Sequence, residues 1–278
     1  MRNLNLLFNK EYYQELGKDD FRDDVKKKNS ELIGACFDYE ADFIQPPLSD
    51  CQRFRMKVLY PGLLIGIGYP HEVGKLESNG SNKASNQKDS NQGKKKNNSE
   101  EKNEDNNEEI KLGFSFDYVT GQPYIPASSI KGVLRSHFKY RTAAVAALLK
   151  NNGYPNADIA EFEKHIAELE EHIFEQHGVI FFDAVICKGD AQRKMLGFDY
   201  ITPHSSPTKN PNPIRMIKVL PDVQFEFRFK IRDKEKNETI FASDKIIPLF
   251  RDLILLFGAG AKTNVGYGVF SNEGVVQP

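Results

Sequence analysis

The chain has 278 residues, of which 39% are hydrophobic and 11% aromatic, with twenty phenylalanines and no tryptophan. That is material for a packed core, in one large domain or two small ones. The formal net charge of -1 means that bulk charge points to no polyanion partner, and no run reaches the roughly 18 apolar residues of a membrane-spanning helix.

Charge is unevenly placed, however. Residues 111–150 carry six basic residues and one acid, whereas residues 151–178 carry one basic residue and seven acids. A polyanion would lie along the first segment. The second suits a solvated helix face or a basic neighbour. Cys36, Cys51 and Cys187 fit no zinc spacing, so free thiols in a reducing cytoplasm are expected. MRNLNLLFNKEYY lacks the long apolar run of a signal peptide, so a soluble cytoplasmic protein with no membrane partner is expected.

In chain order, residues 1–50 read as an extension ahead of the first clear strand. In RFRMKVLY (53–60), Phe54, Met56 and Val58 alternate with Arg53, Arg55 and Lys57, which gives one apolar and one basic face. The glycine-punctuated PGLLIGIGYPHEVG follows. Residues 75–109 are almost wholly polar, with seven lysines against eight acids, and predict a disordered insertion. Folded patterning on both sides places it inside one domain spanning 1–278.

GQPYIPASSIKGVLRSHFKYRTAAVAALLK predicts a turn and then a helix running to about Lys150. Ser128 or Ser129 can cap its first amides. Ile130, Val133, Leu134 and Phe138 form an apolar stripe, and Lys131, Arg135 and Lys139 a separate basic one. An acidic helix is expected over about Asp158–His177, with Ile159, Phe162, Ile166, Leu169 and Ile173 inward; it lies in a helical insertion, 151–178. Its His165 and His172 are seven apart, not the four of a helical metal pair. GVIFFDAVIC reads as a strand, 188–213 as an irregular insertion, and IRMIKVL and VQFEFRFKI as strands. Ser243–Phe257 predicts an amphipathic helix whose regular part starts near Pro248. GAGAKTNVGYGVF is a glycine turn into a last strand. Without its insertions the order is strand, helix, strand, strand, helix, strand. That order predicts an α+β, ferredoxin-like (RRM-like) βαββαβ domain with an antiparallel sheet.

Two segments could hold an anion. Gly258, Gly260, Lys262, Thr263 and Asn264 combine backbone freedom, exposed amides, a cation and small polar groups, which suits a phosphate or ribose cradle. A structural turn explains the same glycines equally well. Ser128, Ser129, Lys131, Arg135 and Lys139 offer a helix N-terminus with a basic face, and the strand face of Arg53 and Arg55 adds charge. His71, His137 and His204 could serve acid–base chemistry, His204 with Asp199 five residues before it. No nucleophile or metal cluster accompanies them, and no cofactor is expected.

Together, PYIPASSIKGVLR and GAGAKTNVGYG resemble the RAMP superfamily of CRISPR-associated proteins. Those proteins pair a PxIPGSSLKGxLR helix start with a C-terminal GxGxxTxxGxG loop. PGLLIGIGYPHEVG, GVIFFDAVI and LGFDYITPHSSPTKNPNPIRMIKVLPDVQFEFRF resemble one branch, the sixth subunits of type III-B (Cmr) effector complexes. The resemblance runs from about Arg53 to Phe270. Ala127 departs from the family's glycine, and its methyl narrows the approach to the helix start.

The resemblance implies a non-catalytic backbone subunit that binds guide RNA (crRNA) near its 3′ end in antiviral defence. It implies target RNA, other RAMP backbone subunits and the small helical subunit as partners. Residues 188–213 would correspond to a thumb that wedges into the guide–target duplex. A repeat-processing endoribonuclease of the same fold is the rival expectation, and it would need His71 or His204 to work.

Overall fold

The computed structural model describes residues 2–14, 20–68, 71, 109–152, 159–202, 213–232 and 243–276. Its centre is an antiparallel sheet built on the alternating segments. β1 (Gln52–Val58) buries Phe54, Met56 and Val58 on one face. It pairs with β7 (Gln224–Ile231) on one side and β8 (Phe270–Val276) on the other. β3 (Val179–Phe181) and β4 (Ala184–Lys188) both pair with β7, and β2 (Tyr124–Ile125) extends the edge beyond β4. The sheet order is β2-β4-β7-β1-β8, with β3 beside β7.

The apolar sheet face carries stacked phenylalanines. The Phe54 and Phe227 rings lie 5.2 Å apart. Phe250 of α7 (Ser243–Phe257) packs 5.2 Å from Phe229 and 5.8 Å from Phe181. α4 (Ala127–Tyr140) adds Ile130, Leu134 and Phe138 to the same core. This is the α+β arrangement that the strand and helix periodicities predict.

Several elements differ from their sequence reading. The long basic helix breaks at Arg141 (φ -137°), whose guanidinium sits 4.3 Å over the Phe257 ring; α5 (Thr142–Asn151) then starts afresh. α7 begins at Ser243, so Pro248 lies inside it rather than in its first turn; the missing N–H costs one helical hydrogen bond, which packing of the surrounding apolar residues offsets. GVIFFDAVIC is two strands, interrupted where Asp183 turns away to bind the start of α4.

IRMIKVL becomes β6 (Ile214–Val219), but it leaves the main sheet and pairs with β5 (Leu196–Ile201) in a hairpin. β5 lies in the segment expected to be irregular. Gly197 and Asp199 mask its periodicity, and its pairing partner supplies the strand geometry. Residues 75–108 of the expected polar insertion, and residues 203–212 with His204, lie outside the described residues.

The N-terminal segment folds as α1 (Leu4–Leu6) running into a π-helical turn (Leu7–Glu11), α2 (Phe21–Gly34) and α3 (Tyr39–Asp42). Its Leu4, Leu7, Phe8, Tyr12, Val25 and Leu32 join the common core. α6 (Ile159–Phe174) buries Phe162, Ile166, Leu169 and Ile173, as its spacing predicts. Among the described residues, no helix is long and apolar enough to cross a membrane.

Candidate nucleic-acid interface

The glycine-rich segment leaves α7 at Phe257 and folds back on itself. Gly258 and Gly268 both have positive φ (75° and 67°) and cross at backbone contact. A Cβ on Gly268 would sit 1.9 Å from the Ala259 carbonyl oxygen, and one on Gly258 would sit 2.5 Å from that of Gly268. Only glycine fits either place. Ala259 N–H donates to Gly268 O (3.0 Å), Gly268 N–H to Gly62 O (2.9 Å) and Ala261 N–H to Leu64 O (2.9 Å). The loop is thereby stitched to the start of PGLLIGIG.

Lys262, at φ 60°, begins a short turn over Thr263–Val265, and all four of these side chains are exposed. A lysine in the left-handed region is uncommon and is kept there by the surrounding bonds. Tyr267 anchors the other end of the loop. Its hydroxyl donates to Asp199 Oδ2 on β5 (2.8 Å), which also accepts from Lys218 Nζ on β6 (2.7 Å). Burial works against the Asp199 carboxylate, but the Lys218 and Tyr267 bonds outweigh it and hold its pKa below the ordinary range. Burial and Asp199 push the Tyr267 phenol up to about 12. The loop and the β5–β6 hairpin are thus bolted together by a carboxylate.

α4 approaches this loop with one particular face. A groove of about 440 Å³ is lined by Ser129, Gly132, Val133 and Ser136 from α4, by residues 64–68 of PGLLIGIG, and by Gly260 and Ala261 from the loop. Those four α4 residues fall on one helical stripe. Val133, which its spacing assigns to the buried stripe, lies half-exposed on the groove wall. Neither serine caps the helix: Pro126 holds the N-cap position, and Ala127 N–H donates instead to Asp183 Oδ1 (2.7 Å). This cap comes from a residue 56 positions away, beyond the reach of local spacing rules.

The basic stripe of α4 points elsewhere. Lys131 Nζ donates to Phe174 O (3.1 Å), which satisfies a carbonyl at the end of α6, and Arg135 pairs with Glu175. Exposed Lys139 lies 5.2 Å from the Tyr140 ring centre. The basic and acidic segments of the sequence are therefore partly each other's partners.

Arg53 and Arg55 are also engaged. Glu226, fully buried, accepts from Arg55 Nε and from Arg228 Nε (3.0 Å each) and lies 3.9 Å from Arg53. Arg228 in turn donates to the Ile44 and Gln45 carbonyls, so the polar sheet face is covered there by the N-terminal segment. Alternation in VQFEFRFKI puts Glu226 and Arg228 on the face opposite Phe225, Phe227 and Phe229, a polar face by sequence; their burial is a tertiary fact.

Two of the three candidate histidines are packed inside. His71 stacks on Phe8 at 3.8 Å and sits between the Phe8 and Ile110 carbonyls; burial holds its pKa below the ordinary value. His137 packs 4.4 Å from Phe257. Neither reaches the groove. Among the described residues, no group of three or more His, Cys, Asp or Glu side chains could hold a metal.

A sequence model of the RAMP superfamily matches residues 55–271. The CRISPR system CMR subunit Cmr6 of Saccharolobus solfataricus is 27% identical over 163 residues, covering 57% of this chain and 48% of that protein. Cmr6 of Pyrococcus furiosus is 30% identical over 202 residues, covering 53% of this chain and 57% of that protein. The chain spans about half the length of these curated relatives. Among solved structures, a chain of the cryo-EM structure of the type III-B Cmr-beta bound to cognate target RNA is similar at 20% identity and a TM-score of 0.48, over 94% of this chain and 67% of that one. The crystal structure of Cmr6 from P. furiosus is similar at 24% identity and a TM-score of 0.36, over 59% of this chain and 92% of that one.

Proposed function

From the premise that the chain belongs to the RAMP superfamily, we propose that it is a non-catalytic, guide-RNA-binding backbone subunit of a type III-B CRISPR effector complex, placed near the guide's 3′ end. The single observation that carries this reading is that the two candidate anion-binding segments contribute to one groove. Gly260 and Ala261 share its lining with Ser129 and Ser136, and Lys262, Thr263 and Asn264 stand exposed at the loop tip. Amides, hydroxyls and one cation suit phosphate and ribose rather than base edges, so binding is weakly sequence-specific.

The site is narrower than the sequence implies. Lys131, Arg135, Arg53 and Arg55 already serve protein carbonyls and carboxylates, and they contribute to RNA chiefly through their field. We read β3/β4, β7, β1 and β8 as the ferredoxin-like set, and the β5–β6 hairpin as the base of a thumb. The other RAMP subunits, the small helical subunit and target RNA are the partners in this reading.

The test is reconstitution of the full chain with type III-B partner subunits and guide RNA. Lys262→Glu should release guide at a lower salt concentration than wild type. It should also reduce the slope of log affinity against log salt by about 0.7, one single-strand phosphate contact. Unchanged retention and slope would remove the loop from the RNA path.

A further inference from the structure

We propose that Tyr60 is a nucleobase-stacking platform that works beside the glycine-rich loop. The inference rests on the guide-RNA reading and adds a contact of a different chemical kind, to a base rather than to the backbone. Tyr60 is 84% exposed, and among the described residues no large apolar side chain is more so. The exposure does not come from a loose segment. Leu59 N–H donates to Val269 O (2.9 Å), Gly62 N–H closes a tight turn onto Leu59 O (2.9 Å), and Gly62 O accepts from Gly268 N–H (2.9 Å). Tyr60 is the residue that this doubly clamped turn holds outward.

The turn sits against the loop. Pro61 Cδ lies 3.8 Å from where a Cβ on Gly266 would be, and after burial and Asp199 a charge on Tyr60 is a further cause that raises the Tyr267 pKa. The ring therefore stands next to the half of the loop that carries Val265, itself 61% exposed, and Lys262 begins the same short turn. An aromatic face beside a cation and free polar groups is how single-stranded nucleic acid is held without sequence choice. A protein partner would call for a broader apolar patch than one phenol with a polar tip. The clamped backbone of the turn lowers the ordering cost of presenting the ring.

The test uses the full chain with fluorescently labelled single-stranded RNA and a matched abasic ribose-phosphate oligomer, read by anisotropy. Tyr60→Ala should weaken the base-containing RNA by at least about fivefold and leave the abasic oligomer unchanged. Tyr60→Phe should bind like wild type. Lys262→Glu should weaken both oligomers. Unfolding midpoints of the Tyr60 variants should match wild type, because the side chain buries little.

If Tyr60→Ala binds normally while Lys262→Glu is impaired, stacking is wrong and the guide-RNA reading stands. Equal weakening of the abasic oligomer by Tyr60→Ala would show that the ring only supports the loop, and would overturn stacking too. If the wild-type chain binds neither oligomer, or no variant alters binding, the guide-RNA reading fails and the inference falls with it.

Discussion

Replacing Gly268 and Gly266 by alanine separates two costs that a glycine-rich motif normally confounds. Both residues have positive φ, 67° and 93°, so each alanine carries a conformational penalty of about 1–2 kcal/mol. Their surroundings differ. At Gly266 the nearest atom to a new Cβ is Pro61 Cδ at 3.8 Å, an ordinary contact. At Gly268 it is the Ala259 carbonyl oxygen at 1.9 Å, so the backbone must separate. Separation disrupts Ala259 N–H to Gly268 O and Gly268 N–H to Gly62 O, each worth about 1 kcal/mol net. The expectation is a loss of about 1–2 kcal/mol for Gly266→Ala and about 3–4 kcal/mol for Gly268→Ala. Urea unfolding of the full chain, followed by circular dichroism, measures both. Equal destabilisation of the two variants would refute the backbone crossing as the reason for glycine at 268. It would return that residue to a role in ligand approach.

Two further expectations follow from the charged contacts. Glu226→Gln leaves Arg55 and Arg228 facing a neutral amide in a buried site, so the protein should lose about 3–5 kcal/mol in the same assay; a loss below about 0.5 kcal/mol would show that the arginines find other partners. Asp199 has a pKa held below its ordinary value. Its stabilising contribution is therefore fully present above the unfolded-state value of about 3.9 and is lost as pH falls through the lower folded value. The stability difference between wild type and Asp199→Asn should be constant from about pH 5 to 7 and shrink in more acidic buffer; a difference that grows on acidification would reverse the assigned sign.

Much of the frame is legible in the sequence. Alternation in RFRMKV and VQFEFRFKI reports which strand face carries the phenylalanine core, because successive side chains point to opposite sides. The Ile130, Leu134 and Phe138 spacing reports the buried side of α4 for the equivalent helical reason. The glycines of GAGAKTNVGYG mark positive φ at 258, 260, 266 and 268, and the same segment carries the resemblance to its superfamily. These are local properties, set within a turn or two of chain.

What the tertiary structure alone decided is which charged groups of the two candidate segments are taken up by other parts of the protein. Lys131 and Arg135 form a basic stripe in sequence, yet the end of α6, about 40 residues on, takes them up. Arg55 meets its carboxylate 171 residues away, and IRMIKVL finds its partner in a segment without clear strand periodicity. Charge pairing and strand pairing act through space between distant segments, so spacing cannot report them. The groove itself is of this kind. Composition and spacing placed polar, flexible residues in two motifs, but only the tertiary packing determined that Ser129 and Ser136, rather than Lys131 and Arg135, share a groove with Gly260 and Ala261.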